Sequence, residues 1–199
     1  MGKPWSARAV LVVLALTASA GCRTARPTAP RVPDDQIAAL MERSRRAEEA
    51  FAAAQAAGTV EEKKRLYVQT LEIEPSHGRA LNNLGLLYLE EEDYPQAVAY
   101  LREAVKQLPG SAEPRFNLGY AYEAAGRPGT AQEHYEAAVR LSPEEPDYLE
   151  SLARVYLKRR DNLGEARDLL EKALSVETRP LHVQWIQEQI QVLDVGLLP

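Results

Sequence analysis

Residues 78–111 read GRALNNLGLLYLEEEDYPQAVAYLREAVKQLPGS, and residues 112–145 read AEPRFNLGYAYEAAGRPGTAQEHYEAAVRLSPEE. Leu84, Gly85, Tyr88, Ala97, Ala104 and Pro109 recur as Leu118, Gly119, Tyr122, Ala131, Ala138 and Pro143, each 34 residues on. A fixed period of this length marks a chain of stacked units, each burying its apolar face only against its neighbours.

Leu81, Leu84, Gly85 and Tyr88 fall at i, i+3, i+4 and i+7, one face of an amphipathic helix. Gly85 lowers helix propensity by about 0.8–1 kcal/mol relative to Ala, so its use is to admit a second helix closely. Ala97 has the same use on that second helix, whose apolar face continues through Leu101, Ala104, Val105 and Leu108. Pro109 biases Leu108 away from helical geometry and ends the helix. In the next unit Tyr135 stands where Leu101 stood, Gly126 suits a left-handed residue after a helix, and Pro128 suits a first helical turn.

Working outward, Leu152, Ala153 and Tyr156 keep the 34-residue offset, but Ala166 and Ala173 lie 35 after Ala131 and Ala138. One extra residue is therefore expected in the Arg159-Arg160-Asp161-Asn162 turn. Towards the N-terminus, Pro75 and Tyr67 hold the period, while Ala50, Phe51, Ala54 and Lys63 break the pattern. This is the atypical terminal unit of a solenoid. Its first helix should run from about Asp34 to Ala57 and end at Gly58. Leu181, Trp185, Ile186, Ile190 and Leu193 mark a last amphipathic helix that covers the final unit.

The 34-residue unit resembles the tetratricopeptide repeat, a helix–turn–helix. The resemblance implies an all-α fold, a right-handed α-solenoid with a C-terminal capping helix. The expected units are 44–77 (degenerate), 78–111, 112–145 and 146–180, followed by a capping helix and tail over 181–199. It also implies a binding groove lined by the first helix of each unit. Carried over position by position, the groove residues are Arg79, Asn82, Leu86, Leu89 and Glu90 in one unit. They are Glu113, Phe116, Tyr120, Glu123 and Ala124 in the next, then Asp147, Glu150, Arg154, Leu157 and Lys158. Phe116, Tyr120, Leu86, Leu89 and Leu157 would put apolar groups among charges, as protein interfaces do. Some members clamp a C-terminal carboxylate with a set of Lys, Asn and Arg. Asn82 and Leu86 occupy two of those places, so that clamp is not expected.

The first 21 residues form a separate unit. Lys3 and Arg8 precede a charge-free apolar run, Ala9–Ala20, too short to span a membrane but of the length of a secretory signal core. Cys22, the single cysteine, follows Gly21. The segment resembles a bacterial lipoprotein signal, which implies lipidation of Cys22 and a membrane anchor. Ser19 departs from that family's apolar residue, and Ala18-Ser19-Ala20 also reads as an ordinary A-x-A cleavage site. Residues 22–33, with Pro27, Pro30 and Pro33, have little to bury and should form a tether. Arg23 lacks the Asp that holds some lipoproteins at the inner membrane, so the resemblance favours an outer-membrane anchor facing the periplasm.

The net charge of −5 argues against nucleic-acid binding, which usually needs a basic protein. His77, His134 and His182 are scattered; His77 falls in an inter-repeat turn and His134 is expected on an exposed face. No catalytic constellation, phosphate loop or metal-ligand spacing stands out, and no cofactor is expected. The expectation is a non-enzymatic scaffold holding a protein or peptide partner at the envelope. Related readings are a pilotin-like factor for a type IV pilus secretin or an adaptor for cell-wall enzymes. A rival of another class is an enzyme accessory subunit or hydrolase with an unrecognised site. The apolar tail could alternatively serve self-association.

Overall fold

Residues 33–196 are described by the computed structural model. Residues 1–32 and 197–199 lie outside the described residues, and with them the expected signal, Cys22 and most of the expected tether. Nine α-helices follow one another among the described residues: α1 (Asp34–Ala56), α2 (Val60–Ile73), α3 (Gly78–Glu90), α4 (Tyr94–Gln107), α5 (Glu113–Ala124), α6 (Pro128–Leu141), α7 (Pro146–Arg159), α8 (Leu163–Val176) and α9 (Pro180–Asp194). α1, α3, α5 and α7 each pack on the helix that follows, and each pair packs on the next, giving an α-solenoid closed among the described residues by α9 against α8.

The repeated residues are the core. Leu84, Leu118 and Leu152 are buried, as are Ala97, Ala131 and Ala166 opposite them. A Cβ on Gly85 would lie 2.6 Å from Leu101 Cγ, and one on Gly119 would lie 2.7 Å from Tyr135 Cδ1. The glycines are thus sites of close helix approach, filled from across by the residue at the Leu101/Tyr135 place. In the first pair Phe51 occupies the equivalent position and is itself buried with Ala54 and Tyr67.

The turns repeat as faithfully as the helices. Asp93, Arg127 and Asp161 each donate a backbone N–H to the carbonyl of Tyr88, Tyr122 and Tyr156. The residue before each donor (Glu92, Gly126, Arg160) has a left-handed φ of 61°, 74° and 56°. These are helix C-terminal caps of the Schellman kind, although only one uses glycine. The extra residue follows Arg160: both Asp161 and Asn162 separate it from α8, and Asn162 also adopts positive φ. At helix starts, Thr59 and Asp93 side chains accept from the Glu62 and Gln96 N–H groups.

On α9, Ile186 is fully buried and Trp185, Ile190 and Leu193 pack against Leu149, Ala153, Leu170 and Ala173. Leu181, in the first turn of α9, departs from the expected covering face: it is 79% exposed. Ile37, Leu40 and Met41 of α1 are also exposed.

Candidate functional site: the inner face of α3, α5, α7 and α9

The first helices of successive pairs share a face, and the side chains on it are tied to one another. Arg79 of α3 reaches Glu48 of α1 at 2.6 Å. Asn82 of α3 donates to Glu113 of α5 at 3.0 Å and accepts from Asn117 at 2.9 Å. Glu123 of α5 meets Arg154 at 3.2 Å and Lys158 at 3.6 Å, both from α7. His182 of α9 lies 2.8 Å from Glu150 of α7. Several of these pairs are 31 residues apart, one helical turn short of the repeat, so the side chains reach diagonally from one helix to the next.

This arrangement corrects several expectations of free groove residues. Asn82 is only 3% exposed; its amide is spent on Glu113 and Asn117. Leu89 is buried in the central cluster with Leu118 and Ala121, because the last turn of α3 leans onto α5. Glu150 is buried beneath α9. Leu86 and Leu157 are half-buried against the core. Phe116 is half-buried, its ring 4.6 Å from Tyr148 and 5.5 Å from Tyr135. Tyr120, one turn further along α5, is half exposed. Arg79, Glu113, Arg154 and Lys158 are exposed and rim the face. His134 is also corrected: it is half-buried, stacked on Tyr122 at 5.3 Å, and burial lowers its pKa. His77 caps α3, its Nδ1 accepting from Ala80 N–H, and is buried against Phe51.

Sequence spacing missed one group. Asp147, Glu150, Glu177 and His182 bring ligand-type atoms within 4.8 Å of one another at the junction of α7 and α9. Arg179 sits among them, 2.5 Å from both Asp147 and Glu177. Glu177 also accepts from the backbone N–H groups of Thr178 and Arg179, and the Arg179 guanidinium above all holds its carboxyl well below the usual range. Glu150 behaves oppositely: burial raises its pKa. The repeat period could have hinted at this corner, because Glu150 occupies the place of Asn82 and Phe116.

Comparison with known proteins follows the same geometry. Sequence models of the tetratricopeptide repeat match residues 79–144 and 116–181, together just over half the chain. The TPR repeat-containing protein YpiA of Bacillus subtilis is 31% identical over 122 residues. That match spans 60% of this chain but only 28% of YpiA. A crystal structure of MamA superposes with a TM-score of 0.63 at 20% identity, over 79% of this chain and 87% of that one. PilF of Pseudomonas aeruginosa gives 0.59 at 20% identity, over 69% and 67%. At these identities the likenesses show the fold. With its 34-residue period, its glycine-mediated helix contacts and its repeated caps, the chain belongs to the tetratricopeptide repeat family.

Proposed function

We propose that the protein is a non-enzymatic scaffold that holds a partner polypeptide on its inner face, anchored to the bacterial envelope through a lipid on Cys22. The observation that carries the binding reading is Tyr120. It is 50% exposed on a face where Leu89 is packed in the core, Asn82 is bonded to Glu113 and Asn117, and Phe116 packs on Tyr135 and Tyr148. Glu123, Arg154 and Lys158 lie one turn away as a charged rim. An amphipathic aromatic ring beside charges is the composition of an interface anchor. Support for the anchor comes from the Ala9–Cys22 segment. Among the described residues no helix is long and apolar enough to cross a membrane. An outer-membrane position facing the periplasm belongs to the same reading.

Photo-crosslinking from position 120 in native envelopes tests the groove. A dominant captured protein, lost when Glu123 and Arg154 are exchanged for residues of opposite charge, supports it. Self-capture or no capture overturns it. Labelled palmitate incorporated by the full chain but not by Cys22→Ala tests the anchor, and equal labelling of both overturns that half of the proposal.

A further inference from the structure

The helix caps of the repeats recur once more at the end of α9. Glu92, Gly126 and Arg160 each donate a backbone N–H to the carbonyl three residues back, on Leu89, Glu123 and Leu157, and each has a left-handed φ. Gly196 does the same: its N–H donates to the Leu193 carbonyl at 3.3 Å, and its φ is 66°. In the earlier units this cap turns the chain back to start the second helix of the pair. The second residue after Glu92 is Tyr94, half-buried against the central core, and Pro95 follows it in the first turn of α4. The second residue after Gly196 is Leu198, and Pro199 follows it. Leu198-Pro199 therefore repeats the Tyr94-Pro95 opening, an apolar residue and then a proline suited to a first helical turn.

The place that such an opening would enter is vacant of side chains from the described residues. A cavity of about 480 Å³ lies between the start of α8 and the end of α9, lined by Arg160, Leu163, Gly164, Arg167, Leu193 and Gly196. Leu163 and Leu193 are only half-buried on its walls, and a Cβ on Gly164 would meet nothing within 4 Å. Arg167 lines the cavity while its guanidinium pairs with Glu171 and Asp194. Long basic side chains commonly lay their aliphatic stems along apolar surface in this way. The walls suit an apolar occupant.

We propose that Leu197 and Leu198 fold back into this cavity, Leu197 on the last turn of α9 and Leu198 between Leu163 and Leu193. In a cap of this kind the residue after the left-handed position commonly packs on the turn it has just left, which here offers Val192. The occupant is joined to the cavity rim at Gly196. Its effective concentration is therefore on the order of millimolar or more, above that of a second copy in dilute solution. Removal of two leucine side chains from water supplies the driving force. The pair takes the place of the first turn of a further second helix and covers an apolar edge of α8 and α9. None of the inner-face residues takes part, so this seat goes beyond the scaffold reading and is independent of it.

Methyl NMR of the full chain, with its leucines labelled, tests the seat. Nuclear Overhauser contacts from Leu198 to Leu163 and Leu193 are expected within one chain. Leu197→Ser/Leu198→Ser should raise the equilibrium unfolding constant about tenfold or more. The loss caused by Leu198→Ala should shrink when Leu163→Ala is already present, as it does for side chains in contact. Contacts found only between differently labelled chains in a mixed sample would put the tail on a second copy and overturn the proposal. Absence of the contacts, or losses from Leu198→Ala and Leu163→Ala that simply add, overturns it as well. The contacts are read on the natural chain, so the test does not depend on either variant folding.

Discussion

The Tyr135 hydroxyl donates to Glu123 Oε2 at 3.0 Å, joining a fully buried ring of α6 to the carboxylate that Arg154 and Lys158 reach from α7. Tyr135 thereby fills the space over Gly119 and holds a groove residue from below. Its pKa is raised far above the usual value, mainly by burial and further by the Glu123 charge.

Tyr135→Phe should keep the packing and lose this hydrogen bond, at about 1 kcal/mol. Chemical denaturation of the two proteins measures it. Tyr135→Ala should cost about 3–5 kcal/mol through the cavity it opens.

Glycine substitutions should separate by place. Gly85→Ala and Gly119→Ala put a Cβ 2.6 Å from Leu101 Cγ and 2.7 Å from Tyr135 Cδ1. Overpacking of this kind costs about 1–3 kcal/mol. Gly58→Ala meets nothing within 4 Å and has no positive φ, so it should be neutral or stabilising. Thermal melts of the three variants check the order.

The left-handed caps predict opposite signs at equivalent positions. Glu92→Gly relieves a non-glycine residue at φ 61° and should stabilise by about 0.5–1 kcal/mol. Gly126→Ala imposes that strain at φ 74° and should destabilise by about 1 kcal/mol. Urea midpoints read both; equal signs would contradict the cap assignment.

Two acids at the α7–α9 junction should give opposite pH dependence. The Glu177 carboxyl lies well below 4.5, so its contribution is present above that pH and is lost as acid protonates the folded protein. Glu177→Gln should lower the melting temperature at pH 7 and weaken acid sensitivity below about pH 4.5. The Glu150 carboxyl lies above 4.5, so its ionisation destabilises the fold as pH rises through and beyond that value. Glu150→Gln should therefore gain stability relative to the natural protein at neutral pH. Melting temperatures across pH 4–8 check both signs.

The fold was legible because a solenoid writes its core at fixed intervals: Leu84, Gly85 and Ala97 recur, and the packing recurs with them. The extra residue near Asn162 and the long α1 could be read in the same way. The inner face was less legible. Position within the repeat says that Asn82, Leu89 and Glu150 point towards the next unit, but not whether that unit arrives to bury them. That depends on partners 31 or 32 residues away, such as Glu113 and His182, which vary from unit to unit. The cluster of Asp147, Glu150, Glu177, Arg179 and His182 was invisible because it assembles across an inter-helix turn rather than along one helix.

The diagonal ties from α1 to α9 have a mechanical consequence. A solenoid held only by its core behaves like a spring, its curvature free to relax as units pivot on one another. Here every successive interval is stitched along one side, by Glu48–Arg79, Asn82–Glu113, Glu123–Arg154 and Glu150–His182. Stitches on one side oppose pivoting of each unit on the next. Each exposed stitch is weak, about 0–1 kcal/mol, but together they stiffen the spring in a set bend. A guest would then meet a surface whose shape is settled in advance, and salt that loosens the stitches would soften the bend without unfolding the chain.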